Sequence, residues 1–226
     1  MNNVDITHRF HLKGSILSIN RSNNDLIIIT QHYSAFKINK TMRLKELAVL
    51  LNSKELPHRY SKTTSANANL ISLAESSSNI LSIAEIQESA RIITRLDDHK
   101  KTISASRFSN DNNILASGGE DGRVHIYDTN KFQKIITLPY RPDYISSINF
   151  SKDSRFLFAS CFNKSNMVFD CQRTKITNIF NTNEVVEWAD FFDNNSKLFI
   201  VLRNSNSIIY DIRANQTINI STPFTS

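Results

Sequence analysis

Glu184, Glu187, Asp190 and Asp193 cluster around Trp188, the one tryptophan of a 226-residue chain. Paired carboxylates are what general acid–base chemistry needs, one to give a proton and one to take it. On a strand, however, residues three apart point to opposite faces, which separates Glu187 from Asp190. A ring of polar groups at a central channel, or pairing with a neighbouring-blade arginine such as Arg141 or Arg203, is the plainer reading. The same geometry separates His8 from His11, so no shared metal site is expected there. His125 falls in an expected strand and reads as a surface or packing residue. Cys161 and Cys171 have no other Cys or His at ligand spacing, and read as two small hydrophobes in a reducing compartment. Gly119 and Gly122 belong to a turn between strands, since no helix follows to offer its N-terminus to a phosphate. The chain has no Gly-x-Ser-x-Gly elbow, no Gly-x-Gly-x-x-Gly and no Walker loop. The expectation is a protein that is not an enzyme and carries no cofactor and no metal.

The elements that must position these residues are written in a repeat. Phe108, Phe150 and Phe192 are spaced 42 and 42, as are Leu115, Leu157 and Phe199. Asp128, Asp170 and Asp211 are spaced 42 and 41. Two fainter copies precede them: Asn69–Leu73 matches Asn113–Ser117, and Ile92-Ile93-Thr94 matches Ile135-Ile136-Thr137. About five repeats result, over 15–57, 58–100, 101–142, 143–184 and 185–226, with 1–14 as an N-terminal strand. Each holds four short apolar runs separated by Ser/Asn/Asp turns, which predicts four strands per unit. Four strands every 40–45 residues is the pattern of a propeller blade. Leu44, Leu47, Ala48 and Leu51 also fit helical spacing, but the repeat sets Val49-Leu50-Leu51 against a fourth strand, so a strand is expected. Arg59 to Asn69 is polar, and the second repeat shows no clear first strand.

At this point the chain resembles the WD40-repeat β-propeller family, most closely over residues 99–128. His99 sits where the family has its Gly-His pair, although Asp98 replaces the Gly. Ser117-Gly118-Gly119-Glu120-Asp121-Gly122 looks like the family's turn, and Tyr127-Asp128 stands where Trp-Asp is usual. The resemblance implies a structural hydrogen-bond network of His99, Ser117, Asp121 and Tyr127. Departures are large elsewhere: Asn163 and Ser205 are expected at the position of Asp121, and Phe169 and Tyr210 at that of Tyr127. The segments "GGEDGRV", "YRPDYIS" and "CFNKSNMVFD" also look faintly like WD40-like accessory proteins encoded with bacterial periplasmic nitrate reductases. The fold implied is all-β, a WD40-like propeller of about five four-stranded blades in one domain. Val4–Leu12 would ordinarily complete the last blade, yet Thr217–Ile220 already fills that place. The ring is therefore expected to be incomplete or open, a shortened propeller or an arc that closes through another chain, with self-association at its edges.

Composition bounds the rest. Hydrophobic residues are 40% and charged residues 21%, which excludes a disordered chain. The longest apolar runs are a few residues, far short of a membrane span, and the N-terminus lacks a signal's apolar core. A soluble cytoplasmic protein is expected. Net charge is +6, carried mostly by the first 101 residues. Residues 37–62 hold Lys37, Lys40, Arg43, Lys45, Lys54, Arg59 and Lys62, so nucleic-acid binding is one alternative. The preferred reading is a protein–protein interaction scaffold or assembly factor, because loops between strands gather Lys100, Lys101, Tyr140, Arg141, Lys164 and Arg203 on one rim, with Trp188 as a further anchor. The reductase likeness implies a second alternative, an accessory role in maturation of a respiratory complex.

Overall fold

In a computed structural model, the structure describes residues 16–22, 25–30, 34–38, 44–49, 64–67, 70–74, 78–86 and 90–219. Every helix or strand among them is a strand, and the strands make five four-stranded antiparallel sheets. The first holds β1 (Ile16–Ser22), β2 (Asp25–Thr30), β3 (Ser34–Ile38) and β4 (Leu44–Val49). The second holds β5 (Thr64–Asn67), β6 (Leu70–Ala74), β7 (Leu81–Ile86) and β8 (Ala90–Leu96). The third holds β9 (Ile103–Phe108), β10 (Ile114–Gly119), β11 (Val124–Asp128) and β12 (Lys134–Thr137). The fourth holds β13 (Ile145–Phe150), β14 (Phe156–Cys161), β15 (Ser165–Asp170) and β16 (Lys175–Asn181). The fifth holds β17 (Val186–Phe192), β18 (Lys197–Leu202), β19 (Ser207–Asp211) and β20 (Gln216–Asn219). The helical spacing of Leu44, Leu47 and Ala48 resolves as strand β4. The N-terminal strand at 1–14 and most of the basic stretch 37–62 lie outside the described residues.

Within each sheet the strands pair in sequence order, as a meander. The turns repeat along with the strands. Gly122, Lys164 and Ser205 share φ values of 66–71°, at spacings of 42 and 41. Phe132, Thr174 and Asn215 share φ values of 52–55° at the same spacings. This left-handed conformation closes each hairpin after a short turn. Asp128, Asp170 and Asp211 do one job in three sheets: each carboxylate accepts the backbone N–H groups two and three residues ahead.

Sheets stack face to face through apolar residues. Ala105, Ala116, Val124 and Ile126 of the third sheet bury against Ile145, Ile148, Leu157 and Met167 of the fourth. Phe158 and Val168 of the fourth bury against Val186, Leu198, Ile200 and Tyr210 of the fifth. The contact is close enough that a Cβ on Gly118 would stand 2.5 Å from Ile145. The first strands β1, β5, β9, β13 and β17 pack in file, each on the next, and among the described residues β17 makes no comparable packing on β1. The architecture is an arc of WD40-like blades with an open ring. Burial records the opening: β10, β14 and β15 are buried on both faces, whereas β18 and β19 alternate strictly between buried and half-exposed residues.

Candidate functional site

His99 precedes β9 and is buried. Its Nε2 lies 2.7 Å from Ser117 Oγ on β10, and its Nδ1 lies 3.1 and 3.2 Å from the Asp121 carboxylate in the β10–β11 turn. A neutral imidazole with its proton on Nδ1 satisfies both contacts, donating to Asp121 and accepting from Ser117. Burial lowers the His99 pKa against the pull of Asp121. The Asp121 carboxyl is held below its usual range: burial opposes this, but the Lys100 N–H and His99 outweigh it. Ser117 and Asp98 both act on the Tyr127 hydroxyl, whose pKa burial raises. Asp98 also pairs with Lys134 of β12. These bonds tie the loop before β9 to a hairpin turn and so fix Lys100 and Lys101 in solvent.

Loops and turns at the same end of the strands follow in the next sheets. Arg141 N–H donates to Gly122 O at 2.8 Å, and Tyr140 folds over the same glycine. The Phe162 N–H donates to Tyr144 O at 3.0 Å, and the two rings stack at 4.5 Å. The Arg203 guanidinium lies 4.9 Å over Phe162 and donates from Nε to Glu187 at 3.0 Å. Lys164 Nζ donates to Asn183 O at 2.9 Å and approaches Glu184. Tyr140 is 60% exposed, so its ring is presented outward. Arg141 is half-buried, and its Nη2 is enclosed without a partner.

Trp188 stands apart from these loops. It lies within β17, on the exposed face of the fifth sheet, with its ring edge-on to Phe199 at 6.3 Å. Arg203, expected from a neighbouring blade, lies in the β18–β19 turn of the same sheet as Glu187 and donates to it. Asp190 instead accepts weakly from Asn149 Nδ2 at 3.3 Å and lies near Arg107. The expected equivalence of Ser205 to Asp121 is corrected. Asn204 takes that place and accepts the Asn206 N–H, as Asp121 accepts that of Arg123, while Ser205 takes the left-handed position of Gly122. Sequence reasoning missed Tyr144 and the bulges that open the first strands. Leu17, Ser104, Ser146 and Glu187 are each skipped by the pairing register. A bulge re-aims its side chain, and this one turns Glu187 toward Arg203. Cys161 and Cys171 are free, and burial raises their thiols to about 11 and about 12. No helix among the described residues is long and apolar enough to cross a membrane.

Comparison with known proteins places this geometry. A family model described as "WD domain, G-beta repeat" matches residues 90–128. WD repeat-containing protein 1 of Bos taurus is 28% identical over 88 residues, 38% of this chain and 14% of the relative. That of Gallus gallus is 29% identical over 89 residues, 38% and 15%. The COMPASS component SWD3 of Saccharomyces cerevisiae is 30% identical over 110 residues, 41% and 35%. The chain thus spans about a third or less of the length of these relatives. The faint likeness to reductase accessory proteins has no counterpart among them.

Proposed function

Because this chain is a divergent WD40-repeat protein, we propose that it is a non-catalytic scaffold that binds a protein partner across one rim of its blades. The observation that carries this reading is that Lys100, Tyr140, Tyr144, Phe162, Arg203 and Glu187 lie at the same end of the strands, with Tyr144 stacked on Phe162 and Arg203 set over Phe162 and bonded to Glu187. Tyr and Arg are the residues that most often anchor interfaces, and here a rigid sheet scaffold holds them. A relative named as a component of a larger complex agrees with such a role. The carboxylates that invited an enzymatic reading are engaged: Glu187 by Arg203 and Asp190 by Asn149. Two free, buried-type thiols fit the reducing cytoplasm.

The test is an affinity pull-down of the tagged chain from its source lysate, with and without nuclease, read by mass spectrometry. The scaffold reading expects a reproducible protein set that survives nuclease and is lost in a Lys101→Glu, Tyr140→Ala double variant. Both positions are exposed, so the variant keeps the fold. Loss of every partner on nuclease treatment would overturn the reading in favour of nucleic acid bound through the basic stretch 37–62.

A further inference from the structure

We propose that His99, Asp121 and His125 form a three-ligand site for a zinc-type divalent cation. The three reach one spot from three elements: the loop before β9, the β10–β11 turn and β11. One ligand atom of each lies within 4.8 Å of the other two. The His99 and His125 rings sit 4.3 Å apart, and both residues are only 2% exposed.

His125 supplies the independent observation. Its Nδ1 lies 2.8 Å from Thr137 Oγ1, while its Nε2 is buried with no hydrogen-bond partner. A buried polar atom without a partner is costly, and the fold does not demand one here. The equivalent positions in the fourth sheet hold Arg141, Asn163 and Met167 in place of His99, Asp121 and His125. The fifth sheet holds Ile208 where the third has His125. The ligand set is thus absent from the fourth sheet, and His125 has no counterpart in the fifth. With Nδ1–H donating to Thr137, the Nε2 lone pair of His125 is free to ligate, and the hydroxyl fixes the ring.

Two imidazoles and one carboxylate suit Zn²⁺, Co²⁺ or Ni²⁺. The cation takes the place of the proton between His99 Nδ1 and Asp121; that proton moves to Nε2 as the ring changes tautomer, so His99 stays a neutral ligand and its Nε2–H then donates to Ser117 Oγ. Ser117 remains on His99 Nε2 as Thr137 remains on His125 Nδ1. Metal–ligand bonds of about 2.0–2.2 Å set tetrahedral ligand atoms about 3.4 Å apart. The His99–Asp121 pair is already at 3.1 Å, and a ring nitrogen of His125 lies within 4.8 Å of a ligand atom of each. Water fills the fourth position.

The probe is Zn²⁺ titrated into the full, chelator-treated chain by calorimetry, with Co²⁺ absorption to report geometry. One equivalent should bind with a tetrahedral cobalt spectrum. His125→Ile, which places the fifth sheet's residue in the strand, should weaken binding at least about 10-fold, while His8→Ala with His11→Ala leaves it unchanged. Nitrogen NMR of the parent chain keeps the test open should His125→Ile fail to fold: Zn²⁺ must shift the ring nitrogens of His99 and His125. Binding lost on changing His8 and His11, equal binding by parent and His125→Ile, or unshifted ring nitrogens would each overturn the proposal.

Discussion

Asp170 shows how one residue type serves fold and stability together. Its carboxylate is buried and accepts two bonds from the Arg155 guanidinium, at 3.1 and 2.9 Å, beside the two turn N–H groups. Burial alone would raise its pKa, but Arg155 and the backbone donors hold the carboxyl below its usual value. A depressed folded pKa stabilises the fold above the ordinary aspartate value of about 3.9, and that stability is lost as pH falls through the folded pKa. Asp170→Asn should therefore cost about 2 kcal/mol at pH 7. Urea melts should show the gap between parent and variant narrowing below about pH 4. A gap unchanged between pH 7 and pH 3 would refute the assignment. Asp170 was legible in sequence only as a repeat marker; its arginine was not, because Arg155 is 15 residues away and reaches it across paired strands.

At the scale of the element, the repeat made strand order visible and left local geometry hidden. Runs of apolar residues between Ser/Asn/Asp clusters mark strands, and the 42-residue period separated strand from helix at Leu44–Val49. Bulges carry no compositional mark, which is why the outward turn of Glu187 went unread. Left-handed turn residues are equally hidden when glycine is absent. Thr174 adopts a φ of 54°, a conformation that a β-branched side chain strains. It is exposed and its neighbours keep the turn. Thr174→Gly should stabilise the chain by about 1 kcal/mol, and Thr174→Ala should recover far less. Thermal denaturation of the two variants checks this, and an unchanged or lower midpoint for Thr174→Gly would contradict it.

For the whole molecule, the five sheets form an open arc in which β18 and β19 keep a half-exposed face, while the surplus strand that led the sequence reading to an open ring, 1–14, lies outside the described residues. The sequence does not reveal which residues that face exposes, because burial depends on contacts between sheets far apart in the chain. Trp188 consequently belongs to the exposed sheet face, while Tyr144 and Phe162 occupy the middle of the rim. If a protein partner binds these loops, charge reversal there must weaken that binding. The opposite end of the sheets offers an internal control, because Lys152 is exposed there in the β13–β14 turn. The decisive measurement is the affinity of a captured partner for Arg203→Glu and for Lys152→Glu. The account predicts that Arg203→Glu weakens binding about 10-fold or more while Lys152→Glu leaves it unchanged. Equal affinities, or a loss confined to Lys152→Glu, would contradict it.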